Sequence, residues 1–349
     1  MLSIITSGLN AAQKDLSVTA NNLANAGTTG FKRSEASFLD LYSNDPSSNP
    51  RTQIGSGTTL GDISRSTSQG PLKTTGNVTD LAITGRGFFT LARDDGSLMY
   101  TRAGNFTADV NGVIVDSQSN PLQCFALDAS GNPAIDQALS SVTIPTEKSP
   151  GQAKINLPDT APVGAAVTLK IAGALVGAAY KVTSADRIAG FVTFTSAEIS
   201  SAVKNQIGAS IDDDPNLPDT VGPYDVSGEY QPFFTQGLSI DTKGTISANF
   251  SDGTSSPIGA IAIANFAYEP GLRAIGDTNF VQSVDSGQPT MTGAGAPAAG
   301  EIRSGMLEES NVDMTAELMQ MLKAQQVYNG NARMMQTSVD LVSRITDKI

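Results

Sequence analysis

Hydrophobic residues recur with a helical period in two places along the chain, and those places are its two ends. From Leu2 the seam positions run Leu2, Ile5, Leu9, Ala12, Leu16, Thr19, Leu23 and Ala26, in steps that alternate between three and four. That alternation predicts an amphipathic helix with a coiled-coil seam. It returns at Met314, Leu318, Met321, Gln325, Tyr328, Ala332, Met335, Val339, Val342, Thr346 and Ile349. The first helix should be about 35 Å long at roughly 1.5 Å per residue. It has no core of its own, and lone helices are marginal in water, so each must find a partner helix.

The helix boundaries are marked by polar residues. In "ESNVDM", Ser310 with Asp313 three residues on resembles a capping box, and Asp313 can itself cap the second helix. In "NAGTTG", Asn25, Gly27 and Gly30 tolerate left-handed backbone and end the first one. Asn21, Asn22 and Asn25 fall in its last turns, where amides can satisfy helix-end groups and neighbouring subunits or can simply terminate the helix.

Between the ends the pattern changes to short apolar runs split by Gly, Asn, Asp, Pro, Ser and Thr. Residues 81–83, 88–91, 98–101 and 113–115 read as an antiparallel meander, with hairpin signals at Asp95-Gly96 and Asn111-Gly112. Residues 234–280 read as three strands joined at Lys243-Gly244 and Asp252-Gly253. Residues 146–232 differ in composition and read as a separate β-rich domain, with one short helix expected near Ala197–Ile207. The stretches 34–70 and 286–302 show little periodicity and read as extended connectors. The expected fold is multi-domain α+β, with N- and C-terminal helices forming a coiled coil and mainly-β central domains, one inserted into the other. Its parts are a coiled-coil helix over 1–30, an extended connector over 31–70, a discontinuous β domain over 71–145 and 233–300, an inserted outer domain over 146–232, and a coiled-coil helix over 301–349.

Composition then removes whole classes of chemistry. The 349 residues contain no histidine and one cysteine, Cys124 in the apolar run "PLQCFAL". General acid-base work near neutral pH and zinc ligation lose their usual side chain, and Cys124 reads as a buried small hydrophobe. No enzyme, cofactor or metal is expected. The net charge of −12 is spread without a basic patch, which argues against a nucleic-acid partner. No stretch approaches the roughly 20 apolar residues that span a bilayer. "MLSIITSGLNAAQKDLSVTA" starts uncharged and is broken by Asn10, Gln13, Lys14 and Asp15, so it does not read as a cleaved secretory signal.

The remaining candidates have ordinary explanations. "GRGFF" at 85–89 and "GSGTTLG" at 55–61 lack the lysine and spacing of phosphate loops and read as tight turns. "IDDDP" at 211–215 lacks the ligand spacing of a calcium loop. Glu308 and Glu309 read as acids placed near the positive end of the coming helix. Met314, Met319, Met321, Met334 and Met335 read as adaptable packing material for an intermolecular core, because their helix has no fold of its own to fill.

Three motifs in order carry a family resemblance. "SGLNAAQKDLSVTANNLANAGTTGFKRSEASF" resembles the N-terminal signature of the bacterial flagellar rod, hook and hook-associated proteins. "QGPLKTTGNVTDLAITGRGFF" with "YTRAGNFTADVNGVIVD" resembles the start of their shared β domain. "GMLEESNVDMTAELMQMLKAQQVYNGNARMMQTSVDLV" is similar to their C-terminal helix. The likeness covers roughly residues 1–125 and 236–349, and "ISANFSDGTSSPIGAIAIANFAYEPGLRAIGDTNF" is more similar to hook than to rod members. The resemblance implies a structural subunit of the flagellar basal body and hook, exported through the flagellar type III apparatus and polymerised outside the cell into a helical tube that serves as a flexible joint. It implies as partners further copies of the chain, the distal rod and hook-filament junction proteins, and the hook cap, with a rod subunit as the alternative. An oligomeric surface adhesin or binding module is the reading from another class. The expected subunit-interface residues are Leu2, Ile5, Leu9, Leu16, Asn21, Asn22, Leu23, Asn25, Leu318, Met321, Tyr328, Met335, Val339 and Val342.

Overall fold

A computed structural model describes residues 2–42, 55–128, 131–135, 137–157, 166–171, 174–189, 191–195, 207–212, 224–297 and 299–346. The chain is mostly β, with long helices at its ends: α1 (Leu2–Ala24), a short α2 (Ser184–Ala189) and α3 (Met314–Thr346). Among the described residues no helix is long and apolar enough to cross a membrane. Two compact units divide the chain, the first formed by Met1–Val142, Ile240–Thr245 and Gly259–Ile349, the second by Thr143–Ser239 and Ile246–Ile258.

The first unit is built on antiparallel strands. Phe88–Ala92 pairs with Leu98–Thr101, which pairs in turn with Asn279–Val281. Ile263 and Ala264 lie opposite Phe89 and Phe88, while Ala260 and Ile261 lie opposite Phe125 and Cys124. Alternating side chains from these strands fill the core. Phe89 meets Phe106 edge to face at 5.3 Å, and Phe88, Tyr100, Phe266, Leu272 and Phe280 form a second cluster. Cys124 is fully buried, and loss of water around it pushes the thiol up to about 12.

The strands expected at 81–83, 88–91 and 98–101 are present, but they do not form a meander. Leu81–Thr84 pairs with Glu301–Ser304 instead of its sequence neighbour, and Thr107–Ala108 pairs with Ile114–Val115. The chain between Thr84 and Phe88 carries Gly85 and Gly87 at φ 110° and 113°, a corner that separates the two strands it joins.

Among the described residues, six connections are closed by the same pair of backbone bonds, from Arg93 to Ser97, Asp109 to Val113, Asp116 to Asn120, Asp128 to Asn132, Asp241 to Thr245 and Phe250 to Thr254. In each, the first N–H donates to the fifth carbonyl and the fourth N–H donates to the first carbonyl. The fourth residue is left-handed, and it is glycine in five of them: Gly96, Gly112, Gly131, Gly244 and Gly253. An aspartate in first place reinforces the loop; the Asp241 Oδ1 accepts from Lys243 N at 3.0 Å and Thr245 N at 2.8 Å. The exception is Ser119, exposed and held at φ 67°. Ser119→Gly is therefore expected to stabilise the first unit by about 0.5–1 kcal/mol, the left-handed penalty less the extra entropy of an unfolded glycine. A urea midpoint that stays fixed or falls would mean the strain is relieved in another way.

The second unit has its own apolar core, formed by Ala153, Ile155, Val167, Leu169, Val192 and Ala209. Ala166–Ile171 lies between Ala174–Lys181 and Ile207–Asp212, and Glu147–Asn156 pairs with both Phe191–Thr195 and Tyr224–Ile240. The Lys148 ammonium lies 2.7 Å from Asp252, whose carboxyl it and Thr254 hold down to about 2. The helix expected at 197–207 falls outside the described residues up to 206, and Ile207 opens a strand.

Two expected connectors are paired structure. β1 (Ser34–Leu41) and β2 (Gly57–Arg65) form an antiparallel hairpin running from Ser34↔Arg65 to Leu41↔Gly57, with a register shift at Ser37/Phe38. Short polar side chains between the apolar ones hid this period, and "GSGTTLG" lies at and within β2 instead of in a tight turn. Thr290–Gly293 pairs with Ala262–Asn265. The C-terminal segment likewise begins in strands, with Met306–Glu308 on Leu72–Thr74, before α3 starts at Met314.

Candidate functional site: the junction of the terminal segments

α1 and α3 run antiparallel within the first unit. Asn22 bonds Glu317, Asp15 accepts from Gln320 at 3.0 Å, and Gly8 lies under Asn331, so close that a Cβ at Gly8 would sit 3.0 Å from its amide nitrogen. Residues 8, 15 and 22 are one heptad position of α1, and the buried Ala12 and Thr19 are another. On α3 the buried positions are Glu317 and Ala324, flanked by half-buried Met321, Tyr328, Asn331 and Met335. The helix contact within the chain is thus made of small and polar groups.

The larger apolar residues flank this contact or lie away from it. Ile5, Leu9, Leu16, Leu23, Asn25, Met321, Tyr328 and Met335 are half-buried, whereas Leu2, Asn21, Leu318, Val339 and Val342 are exposed. Two exposed stripes flank the contact on α3: Val327, Met334 and Leu341 spaced by seven on one side, and Leu318 and Val339 on the other, all 47–61% exposed. Asp313 caps this helix, its Oδ1 accepting from Thr315 N at 2.8 Å and Ala316 N at 3.2 Å. Ser310 does not complete a capping box; its hydroxyl accepts from Val312 N at 3.4 Å.

The asparagines divide their work. Asn22 is buried, its amide donating to Ser34 O at 2.7 Å and accepting from Ser34 N at 2.9 Å, so it ties the helix to β1. Asn25 donates to Asn21 O at 2.9 Å and closes the last turn. The chain then turns at Gly30, whose N–H donates to Glu308 O at 2.8 Å.

Beyond the helix end lies a buried ionic cluster. Glu308, expected as an acid near a helix end, is 1% exposed and stands between Lys32 at 2.7 Å and Arg102 at 3.1 Å. Its Oε1 also accepts from Gly70 N at 3.0 Å. The strand pairing of Met306–Glu308 carries it inward, where no helix-dipole argument applies. Lys32 donates to Ser68 O at 2.8 Å, and Arg102 donates to Gly85 O at 2.7 Å with its guanidinium 5.4 Å from the centre of the Phe88 ring. Burial pulls the Lys32 ammonium below its ordinary value, against the opposing pull of Glu308. Next to it, Arg33 bonds the buried Glu317 through Nε, which raises its value, and donates its backbone N–H to Asn311 Oδ1 at 2.7 Å.

This arrangement holds no nucleophile beside a base. Its chemistry is positional: oppositely charged groups from four separate stretches pair with one another and fix how both chain ends leave the β body. Sequence reasoning missed Lys32, Arg102 and Glu317. Their partners are 276, 206 and 284 residues away, and such pairs leave no local period.

The sequence is similar to known proteins along nearly its whole length. A family profile described as "Flagellar hook protein FlgE/F/G D1 domain" matches residues 82–171, "Flagellar basal body rod FlgEFG protein C-terminal" matches 303–347, and "Flagella basal body rod protein" matches 2–32. The flagellar hook protein FlgE of Brucella abortus is 30% identical over 98% of this chain and 97% of its own length. The chain belongs to the flagellar hook protein FlgE family. The FlgE of Salmonella typhimurium strain LT2 is 27% identical, covering 98% of both chains, and the basal-body rod protein FlgG of Agrobacterium fabrum is 26% identical, covering all of this chain and 98% of its own. A FlgE-family chain is a structural subunit of the flagellar hook, not an enzyme, and the profiles at 2–32 and 303–347 fall on the segments that the ionic cluster joins.

Proposed function

We propose that the chain polymerises through its terminal helices into a helical tube, with α1 and α3 packing as coiled coils against neighbouring copies along the inner wall. The observation that supports this is the width of the apolar arc on α3. α1 covers one stripe with small and polar residues, and the stripes at Val327, Met334, Leu341 and at Leu318, Val339 remain for helices of other copies. An unclosed, repeating contact of this kind gives an open helical filament. The second unit is the inserted outer domain on this reading. Export proceeds through the flagellar type III apparatus, and the tube joins the distal rod below to the junction proteins above beneath its cap. There it acts as a flexible joint.

Sedimentation and electron microscopy of the purified chain against concentration test the reading. Growth without an upper size above a critical concentration is the expected result. A closed oligomer of fixed size would favour the binding-module alternative, and straight, rigid tubes alone would favour a rod subunit.

A further inference from the structure

A peptide nitrogen that loses its proton can attack the side-chain carbonyl of the preceding Asn or Asp, and glycine, having no Cβ, allows the closest approach. The sequence holds two Asn-Gly pairs, Asn111–Gly112 and Asn329–Gly330, and two Asp-Gly pairs, Asp95–Gly96 and Asp252–Gly253. Asn329 lies inside α3. The other three pairs occupy the third and fourth places of five-residue loops closed by the same pair of backbone bonds, each with its glycine left-handed. Three different side chains are thus presented to the glycine nitrogen from equivalent positions.

Their bonding separates them. Asp95 and Asp252 each accept from the fifth residue of their own loop, Ser97 N at 2.8 Å and Thr254 N at 2.9 Å, and the Lys148 ammonium also lies 2.7 Å from Asp252. Both are carboxylates, whose negative charge makes the carbon a poor target for a nucleophile. Asn111 carries no charge, and it is exposed beside the fully exposed Val110. What restrains it is Asp109. The Asp109 Oδ1 accepts from Asn111 N at 2.9 Å and Val113 N at 2.7 Å, its Oδ2 accepts from Asn111 Nδ2 at 3.2 Å, and its carbonyl accepts from Gly112 N at 3.0 Å. The nitrogen that would attack and the amide that would depart are therefore both bonded to one residue. Its carboxylate also opposes the negative charge that Gly112 N must take on to react.

We infer that Asn111 is a spontaneous modification site of the β body and that Asp109 is its guard. Gly112 N gives its proton to hydroxide and bonds to Asn111 Cγ; the Cγ–Nδ2 bond breaks, and Nδ2 leaves as ammonia after taking a proton from water. Water then opens the five-membered succinimide at either of its carbonyls, leaving aspartate or isoaspartate at position 111. The net reaction consumes one water and releases one ammonia. Either product sets a second carboxylate next to Asp109. Isoaspartate also adds a backbone atom between the third and fourth places of the loop, so the two bonds that close it no longer match. The loop joins Thr107–Ala108 to Ile114–Val115, and Ile114 and Val115 are buried in the core, so conversion loosens a hairpin of the first unit.

Peptide mapping of the full-length chain, incubated warm at mildly alkaline pH and read by mass spectrometry with fragmentation that separates aspartate from isoaspartate, tests the inference. The chains compared are the parent, D109A, D109N and the control D241A, which removes the first-place carboxylate from another loop of the same kind. D109A is expected to lose Asn111 about tenfold faster than the parent, the worth of one hydrogen bond to a charged group. D109N, which keeps an acceptor without the charge, should fall between them, and D241A should keep the parent rate. Asn111 in the urea-unfolded parent should convert at least as fast as in D109A. If the buried Cys124 thiol of D109A reacts with an aromatic disulfide, that core has opened and D109N decides on the same criterion. A D109N rate equal to the parent's, or a folded parent that converts as fast as the unfolded chain, overturns the guard. Conversion of Asp95 or Asp252 ahead of Asn111 overturns the site.

Discussion

Gly30→Ala is expected to destabilise the first unit by roughly 2–4 kcal/mol, the sum of a left-handed backbone penalty and forced displacement in a packed site. Gly30 sits at φ 71°, and a Cβ there would lie 2.4 Å from Ala103 N and 2.7 Å from Arg102 C. Neither obstacle is a flexible side chain. The backbone that must move carries Arg102 into the ionic cluster, and the Gly30 N–H that would shift is the one held by Glu308 O. The loss should therefore appear first as faster hydrogen exchange over residues 22–35, and then as a lower urea midpoint for the first unit. Gly27→Ala is the matched control: it lies three residues before Gly30 in the same motif, its φ is not left-handed, and nothing stands within 4 Å of its Cβ position. Its effect should fall within about 0.5 kcal/mol of zero. Equal midpoints for both variants would mean that the end of α1 does not rest on Arg102 and Ala103.

What could be read from the chain alone depended on whether the governing contact was local. α1 and α3 were legible because a three-four alternation over 23 and 33 residues has no other simple cause. The turns at Gly96, Gly112, Gly244 and Gly253 were legible because a left-handed fourth residue demands glycine. Ser119 was not, since it meets the same demand with strain. The β1 hairpin was lost because Ser, Thr and Glu dilute its apolar positions and its partner face is a helix. The seam of α3 was displaced by about one residue, from Leu318, Gln325 and Ala332 to Glu317, Ala324 and Asn331. Hydrophobicity suggests the wider side chains for a seam, but α1 offers Gly8, Asp15 and Asn22, which fit small and polar partners. The ionic cluster was the least visible part, because Lys32, Arg102 and Glu308 are near one another only after the chain has folded.

That displaced seam carries the second large effect. Met334→Glu combined with Leu341→Glu places two carboxylates on one exposed stripe of α3, away from the contact with α1. In the monomer both side chains are about half exposed, at 52% and 61%, so the urea midpoint should move by no more than about 0.5 kcal/mol. In an assembled wall, each substitution forfeits the remaining burial of a Met or Leu and leaves a carboxylate facing apolar neighbours, about 1–2 kcal/mol apiece. Together the pair should raise the critical concentration for assembly by roughly 30-fold to 1,000-fold at a factor of ten per 1.4 kcal/mol. Leu318→Glu with Val339→Glu asks the same of the opposite stripe, and Gln326→Glu on the polar face is the control. If both double variants block growth while the control does not, α3 meets helices of other copies on both flanks and the wall is continuous around it. If one stripe alone matters, each α3 has a single outside neighbour, and the copies associate as pairs or ribbons instead of a closed wall. If neither matters, the arc on α3 is not an assembly surface, and growth, where it occurs, proceeds through the β units.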